Sequence, residues 1–254
     1  MKKEEKKIIQ DILDLYKRET AKECYEINFI EGEPDILDDK ICGNPYIPIG
    51  EEYPKDKKGN NLLLLLQVNL KNINLDNFPK KGILEIFTSP NMISNLEYVV
   101  KLYEEGKEYI KDLPKIDKSK YLCKVNNKIK LTKTEDYMSN MDYRYPETII
   151  KVLNKMTKEN YKNVEEAEKK LEINIFNFEK KIPKIDISLG GYPDFTQDDP
   201  RPFSDGKEEC LFKLDSNARK DIRIGDCGIL YSFISQKDLK EGNFNDVYLS
   251  WDCL

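Results

Sequence analysis

The apolar positions near the amino terminus keep a helical beat. Ile8, Ile9, Ile12, Leu13 and Tyr16 recur between charged residues, which predicts an amphipathic helix from about Lys3 to Glu23 whose stripe faces a core. From Ile41 to Phe87 that beat is lost. Pro and Gly punctuate short apolar runs there, and Leu62–Val68 and Gly82–Phe87 read as strands. Glu97–Leu102 and Tyr121–Leu131 add further strands, the second open to a hairpin around Asn126-Asn127. Beyond Pro146, which suits a first helical turn, Ile149, Val152, Leu153 and Met156 return to helical spacing, and another helix is predicted over Val164–Leu171. Strand signals resume from Ile182. The last strand, Val247–Cys253, puts Val247, Leu249 and Trp251 on one face and Tyr248, Ser250 and Asp252 on the other.

The two strand-rich stretches align with each other. Cys42-Gly43-Asn44-Pro45 matches Gly190-Gly191-Tyr192-Pro193 at an offset of 148. Leu64-Leu65-Leu66-Gln67-Val68-Asn69 matches Cys210-Leu211-Phe212-Lys213-Leu214-Asp215, and Gly82–Phe87 matches Gly228–Phe233, both at 146. Two copies of so long a unit are no solenoid; they predict related halves packed about a pseudo-twofold axis. The expected architecture is α+β in a single compact domain over residues 1–254. Duplicated β-rich halves, 41–88 and 188–254, flank a less regular, lysine-rich middle, 89–187, which contains helix, and the amphipathic helix precedes them.

Composition narrows the chemistry. Histidine is absent from the 254 residues, which removes Ser-His-Asp triads, Cys-His dyads, HExxH zinc sites and two-His iron sites. A formal charge of -5 and a mean hydropathy of -0.68 demand a wet, charged surface. The acidity is uneven: Asp186–Leu254 holds fourteen acids against eight Lys and Arg, a local -6. That stretch repels nucleic acid and anionic lipid and favours a basic partner, so neither nucleic acid nor membrane is expected as a target. The six cysteines are scattered with no CxxC pair, which fits reduced thiols in the cytoplasm. Ile8-Ile9-Gln10-Asp11 interrupts any leader-like apolar core, and Leu62–Leu66 is far short of the roughly 20 residues that span a bilayer.

The densest candidate site is Gly190, Gly191, Tyr192, Pro193, Gln197, Asp198, Asp199 and Arg201. The paired glycines permit close backbone approaches and the prolines fix turns around a polar cluster. As function, the cluster forms a pocket for a cation or basic group; as structure, an Asp caps a turn and Arg201 closes an internal salt bridge. Asp226 sits in the glycine-bracketed Gly225–Gly228, and the lone Trp251 and Asp252 lie on the last strand. No GxGxxG or GxxxxGK[ST] loop is present, and Arg219 and Lys220 break the spacing an EF-hand needs among Asp215, Asn217, Asp221 and Asp226. No metal or cofactor is expected, although Asp198, Asp199, Asp226 and Asp252 leave open an oxygen-ligand site or a carboxylate pair assembled in space.

GGYPDFTQDDPR, the LFKLDS strand, IRIGDCGILYSFI and FNDVYLSWDC, in this order, resemble the YwqG-like family, bacterial proteins carrying a domain of unknown function. The match is strong in the second half, extends through the Gly-Pro, LLLQVNL and GILEIF blocks from about Ile41, and is loose from about Ser89 to Lys181. It departs at Arg223-Ile224, where the family often has an aromatic, so no stacking role is expected there. The resemblance implies an intracellular α+β fold with a duplicated core and assigns no activity and no catalytic residue. The residues themselves favour a non-enzymatic binding protein that presents an acidic carboxyl-terminal surface to a basic protein, toxin neutralisation being one version. The alternative is a carboxylate-based hydrolase or small-ligand receptor with a cleft between the halves, where Asp199 or Asp226 would be the base and Tyr192 or Arg201 would orient the substrate. The sequence leaves the oligomeric state open.

Overall fold

The computed structural model describes residues 3–253 except 116, 121 and 124–126. Helix α1 spans Lys3–Thr20, with Glu4 and Glu5 in its first turn and Lys17 and Arg18 in its last, as the helix dipole favours. Its stripe of Ile9, Ile12, Leu13 and Tyr16 is buried against Ile149 and Leu153 of α2 (Tyr145–Thr157) and Phe178 of α4 (Phe176–Glu179). The Tyr16 hydroxyl donates to the Met138 carbonyl at 2.9 Å.

The helix stops short of the predicted Glu23, because Lys22 already opens strand β1 (Lys22–Phe29). Lys22, Glu23 and Glu26 are good helix formers. Cys24, Tyr25 and Ile27 are buried, however, and β1 finds antiparallel partners on both sides, so ladder pairing overrides propensity. The strand predicted over Tyr121–Leu131 is found later, as β6 (Ile129–Asp136); part of the predicted hairpin lies outside the described residues. β6 ends the order of its sheet, where alternating Thr and charged residues suit an edge.

Two antiparallel sheets result. The first runs β2 (Lys40–Ile41), β3 (Leu63–Asn69), β4 (Ile83–Thr88), β5 (Tyr98–Tyr103), each next to its sequence neighbour. It therefore continues past residue 88 into the middle region. The second has the order β10 (Tyr248–Asp252), β9 (Ile229–Ile234), β8 (Glu209–Asp215), β7 (Ile187–Gly190), β1, β6. Helix α3 (Val164–Leu171) and the short α5 (Gln236–Glu241), capped by the Ser235 hydroxyl, complete the mixed α+β fold. No helix among the described residues is long and apolar enough to cross a membrane.

One apolar cluster draws Leu65, Val68 and Ile86 from the first sheet and Leu189, Leu214 and Leu249 from the second, so the two share a core. The first sheet is covered on its other face as well, where Leu64, Ile83 and Phe87 lie under Tyr46, Ile47 and Tyr53. Burial on both faces explains why Leu62–Leu66 is continuously apolar instead of alternating.

The meanders β2–β5 and β7–β10 repeat local irregularities. A register shift falls between Leu64 and Leu66 in one and between Cys210 and Phe212 in the other. Asn69 and Asp215 each cap the 3-10 turn that follows, and Leu70 N–H to Gly82 carbonyl (2.9 Å) has its counterpart in Ser216 to Gly228 (3.1 Å). Each of these pairs is 146 residues apart.

Candidate functional site

The glycine pair at the end of β7 has φ values of 75° and 79°. A Cβ on Gly190 would stand 2.9 Å from Leu75 Cδ1, and one on Gly191 would stand 2.7 Å from Asp136 Oδ2. The bare backbone thus lets the Asp136 carboxylate reach Tyr192 N–H at 2.9 Å. Tyr192 is half-buried, its ring 5.6 Å from Lys22 Nζ and 5.8 Å from the Arg144 guanidinium. Pro193 is buried.

Arg201 is only 1% exposed. Its Nη2 lies 2.5 Å from Asp199 Oδ2 and 2.6 Å from Asp142 Oδ2, and its Nε donates to Asp199 Oδ1 at 3.0 Å. The rings of Tyr143, Phe195 and Phe233 surround the guanidinium. Asp199 also accepts from the Tyr143 and Arg201 backbone N–H groups, while Asp142 takes a second guanidinium, Arg144. Burial works to raise the Asp142 pKa; the hydrogen bond from Arg144 and the charge and hydrogen bond of Arg201 outweigh it and hold the carboxyl below its usual value. Arg201 and Asp199 therefore fasten the loop before β8 to the segment before α2.

Asp252 is likewise built in, accepting from Thr196 Oγ1 at 2.9 Å and from the Thr196 and Gln197 backbone N–H groups at 3.2 Å. Gln197 Nε2 donates to the Cys253 carbonyl, and Trp251 packs half-buried against the shared core. Asp198 and Asp226 remain exposed. The candidate residues thus separate into a largely buried framework and an exposed set of Gln197, Asp198 and Asp226. No three His, Cys, Asp or Glu among the described residues are grouped as metal ligands.

The open space lies elsewhere. A cavity of about 550 Å³ is lined by Cys42 and Leu63–Leu65 of the first meander, by the 88–94 loop, by Ser119, Lys120 and Leu122, and by Lys220, Asp221 and Arg223, which follow β8 of the second meander. A cavity of about 480 Å³ shares Leu63, Ser89, Asn91, Ser94 and Lys120 with it, so the two form one groove. A smaller cavity of about 270 Å³ is built from the counterpart pieces, with Glu209 and Cys210 at the start of β8 and Leu75–Phe78 following β3. Leu63 and Glu209, Leu64 and Cys210, Leu75 and Asp221, and Asn77 and Arg223 are all 146 apart. In the smaller cavity Leu75 presses on Gly190, and a 2.8 Å ion pair joins Lys22 to Glu209.

The larger cleft is cationic. Lys120, Lys220 and Arg223 are exposed and form no ion pair among the described residues. Asp221 is paired with Arg219, whose guanidinium lies 3.8 Å from the Phe29 ring centroid. In the adjoining part, hydrogen bonds from Asn60 and Ser119 hold the Asp56 and Asp117 carboxyls below their usual values. Sequence reading passed over Lys220 and Arg223, the first as a break in a calcium pattern and the second as a departure from a family aromatic. Extending the 146 offset into the turns would have paired Arg223 with Asn77 and pointed to this loop.

No curated protein matches the chain. A family model described as a domain of unknown function, DUF1963, matches residues 39–253, a span that contains both meanders and all the residues lining the larger cleft. The chain belongs to the DUF1963 family.

Proposed function

We propose that this protein is a small-ligand receptor that binds without turnover, its ligand held in the cleft between the two meanders. The observation that carries this reading is the contrast between two cavities built from counterpart pieces. One is narrowed by Leu75, Phe78 and the Lys22–Glu209 pair, whereas the other stays open at about 550 Å³, within the usual size range of ligand pockets. The repeated bulges, caps and turn hydrogen bonds support a duplicated unit with a pseudo-twofold relation, which makes the junction a natural place for a pocket. Binding is favoured over hydrolysis because Asp56, Asp117 and Asp221, the carboxylates lining the groove, are all engaged in hydrogen bonds or an ion pair. The same reading places the chain with the YwqG-like proteins and, given its scattered thiols, in the cytoplasm.

A fragment screen followed by amide NMR tests it. Binding fragments are expected to shift Leu63–Leu65, Ser89–Ser94 and Lys220–Arg223, and Ser94→Trp is expected to abolish those shifts without unfolding the protein. Ligands that perturb only residues outside the groove would sink the proposal.

A second reading, a basic protein docking on the acidic carboxyl-terminal surface, is favoured by one arrangement. Gln197 bonds the Cys253 carbonyl, and the Gly225 backbone packs against the Cys253 side chain, which brings the exposed Asp198 and Asp226 to the same strand end. A partner whose affinity is unaffected by salt and by Asp198→Lys with Asp226→Lys removes it.

A further inference from the structure

We infer that the cleft ligand is a small organic anion, its phosphate or carboxylate groups met by Lys120, Lys220 and Arg223. This deepens the receptor reading and rests on it. The chain carries a formal -5, yet this cavity is lined by three cations and one acid, Asp221, which Arg219 already pairs. A fold with an excess of acids has thus placed cations together where space is open. They come from separate parts of the chain, the turn at 118–120 and the loop between β8 and β9.

The smaller cavity serves as an internal control. Its lining charges are Lys22 against Glu23, Asp76 and Glu209, and Lys22 is held by Glu209. Arg223 stands where the smaller cavity has Asn77, and Lys220 is 146 residues beyond Asn74, so the positive charge is not inherited from a shared architecture. Convergent cations in a partly enclosed site focus field lines and raise the local concentration of anions. Arg offers bidentate donors to phosphate or carboxylate, and Lys offers a point charge. Leu63, Leu65, Met92 and Leu122 line the same cavity, which suits an anion with an apolar or sugar-like body better than a bare inorganic ion.

The test uses the full chain with inorganic pyrophosphate, citrate and glucose 6-phosphate as probes and glucose as the neutral control. Binding is measured by calorimetry in low and high salt and mapped by amide NMR. At least one anion is expected to bind at the cleft residues, to weaken as salt rises, and to lose at least about tenfold in affinity with Lys220→Glu plus Arg223→Glu. Lys237→Glu plus Lys240→Glu, on the α5 segment away from the cleft lining, is expected to leave binding unchanged. Pyrophosphate or glucose 6-phosphate binding without citrate identifies phosphate as the recognised group, and the reverse identifies carboxylate. Anion binding that maps elsewhere, or that survives the cleft double variant at equal strength, overturns the inference. If glucose or neutral fragments map to the cleft while all three anions fail, the anionic assignment falls and the receptor reading stands. If nothing maps to the cleft, both fall.

Discussion

Replacing Arg201 by Met tests whether this residue holds the loop or serves a ligand. The side chain is 1% exposed and lies between two carboxylates, Asp142 and Asp199, whose own side chains are 0% and 2% exposed. Methionine fills much of the space and removes the charge, leaving the carboxylates in a poorly solvated site. Breaking a buried pair by deleting one partner typically costs about 3–5 kcal/mol. Arg144 still pairs with Asp142, so the expected cost of Arg201→Met is near the lower end, about 3 kcal/mol. Urea unfolding followed by circular dichroism measures it. The pH dependence gives a second readout. The folded-state pKa of Asp142 is lowered, so its stabilising contribution is present above the unfolded carboxylate value, near 3.9, and is lost as pH falls through the folded value. Removing Arg201 weakens that lowering, so the gap between wild type and variant is widest above about pH 5 and narrows below about pH 4. Adding Asp142→Asn and Asp199→Asn to Arg201→Met is expected to recover part of the loss, since no buried carboxylate is then left uncompensated. A cost below about 1 kcal/mol at pH 7, or a gap that does not change with pH, refutes the framework role. Loss of ligand affinity at unchanged stability would show instead that Arg201 reaches a ligand.

Glu85 gives a second pH effect of opposite sign. Burial pushes its pKa well above the usual carboxylate value, with only the Tyr46 N–H and the Lys40 charge opposing, and its Oε2 has no hydrogen-bond partner among the described residues. Its favourable state is therefore protonated, and stability is lost as pH rises above the unfolded value at up to about 1.4 kcal/mol per pH unit until the folded pKa is passed. The advantage of Glu85→Gln over wild type in melting temperature should grow as pH rises above the unfolded carboxylate value, until the folded pKa is passed, and a difference that stays constant from about pH 4 to pH 8 would defeat the argument. Gly191→Ala forces an L side chain to φ 79° with its Cβ against Asp136, and should cost at least about 2 kcal/mol by urea unfolding; a near-neutral change would mean that the Asp136 contact is dispensable. Thiol labelling in the native state should find Cys227 and Cys253 fast and Cys24, Cys42, Cys123 and Cys210 protected. Burial adds to that protection by pushing the Cys24 and Cys210 pKa values up to about 12 and about 11, and rapid modification of either would contradict the packing.

What could be read from the sequence was what depends on local period. The stripe Ile9–Tyr16, the run Leu62–Leu66 and the alternation of Val247, Leu249 and Trp251 each register a face turned to the core within one short segment. β1 was hidden and β6 displaced because β1 is stabilised by pairing with β6 and β7, and β6 by pairing with β1. Nothing local in Lys22-Glu23 or in Thr132-Lys133-Thr134 records that pairing. The glycine pair, the acid cluster and Arg201 attracted notice as unusual chemistry, and in three dimensions Arg201, Asp199 and Asp252 are satisfied by neighbours up to 59 residues away. A cleft between the halves is an expectation of the sequence, but its lining is not legible there, for the complementary reason. Lys120, Lys220 and Arg223 are ordinary surface residues until the meanders bring their loops to the same space.

The two cavities also differ in where their walls originate. Every residue lining the open cleft lies within the span matched by the family, 39–253. The smaller cavity is lined in part by Ala21, Lys22 and Glu23, which precede that span, and Lys22 supplies the ion pair to Glu209. Ala21 joins α1 to β1, Lys22 and Glu23 open β1, and β1 is anchored between β7 and β6 in the second sheet. Extending the second sheet by two strands therefore carries a charged segment to one junction and not to its counterpart. A meander pair related by a pseudo-twofold axis would by itself offer two equivalent recesses. Here one is narrowed by an element outside the span matched by the family, and the other keeps its opening and gathers cations. That asymmetry has a physical source in the chain's connectivity, and it is why the proposed ligand site lies at one junction and not at both.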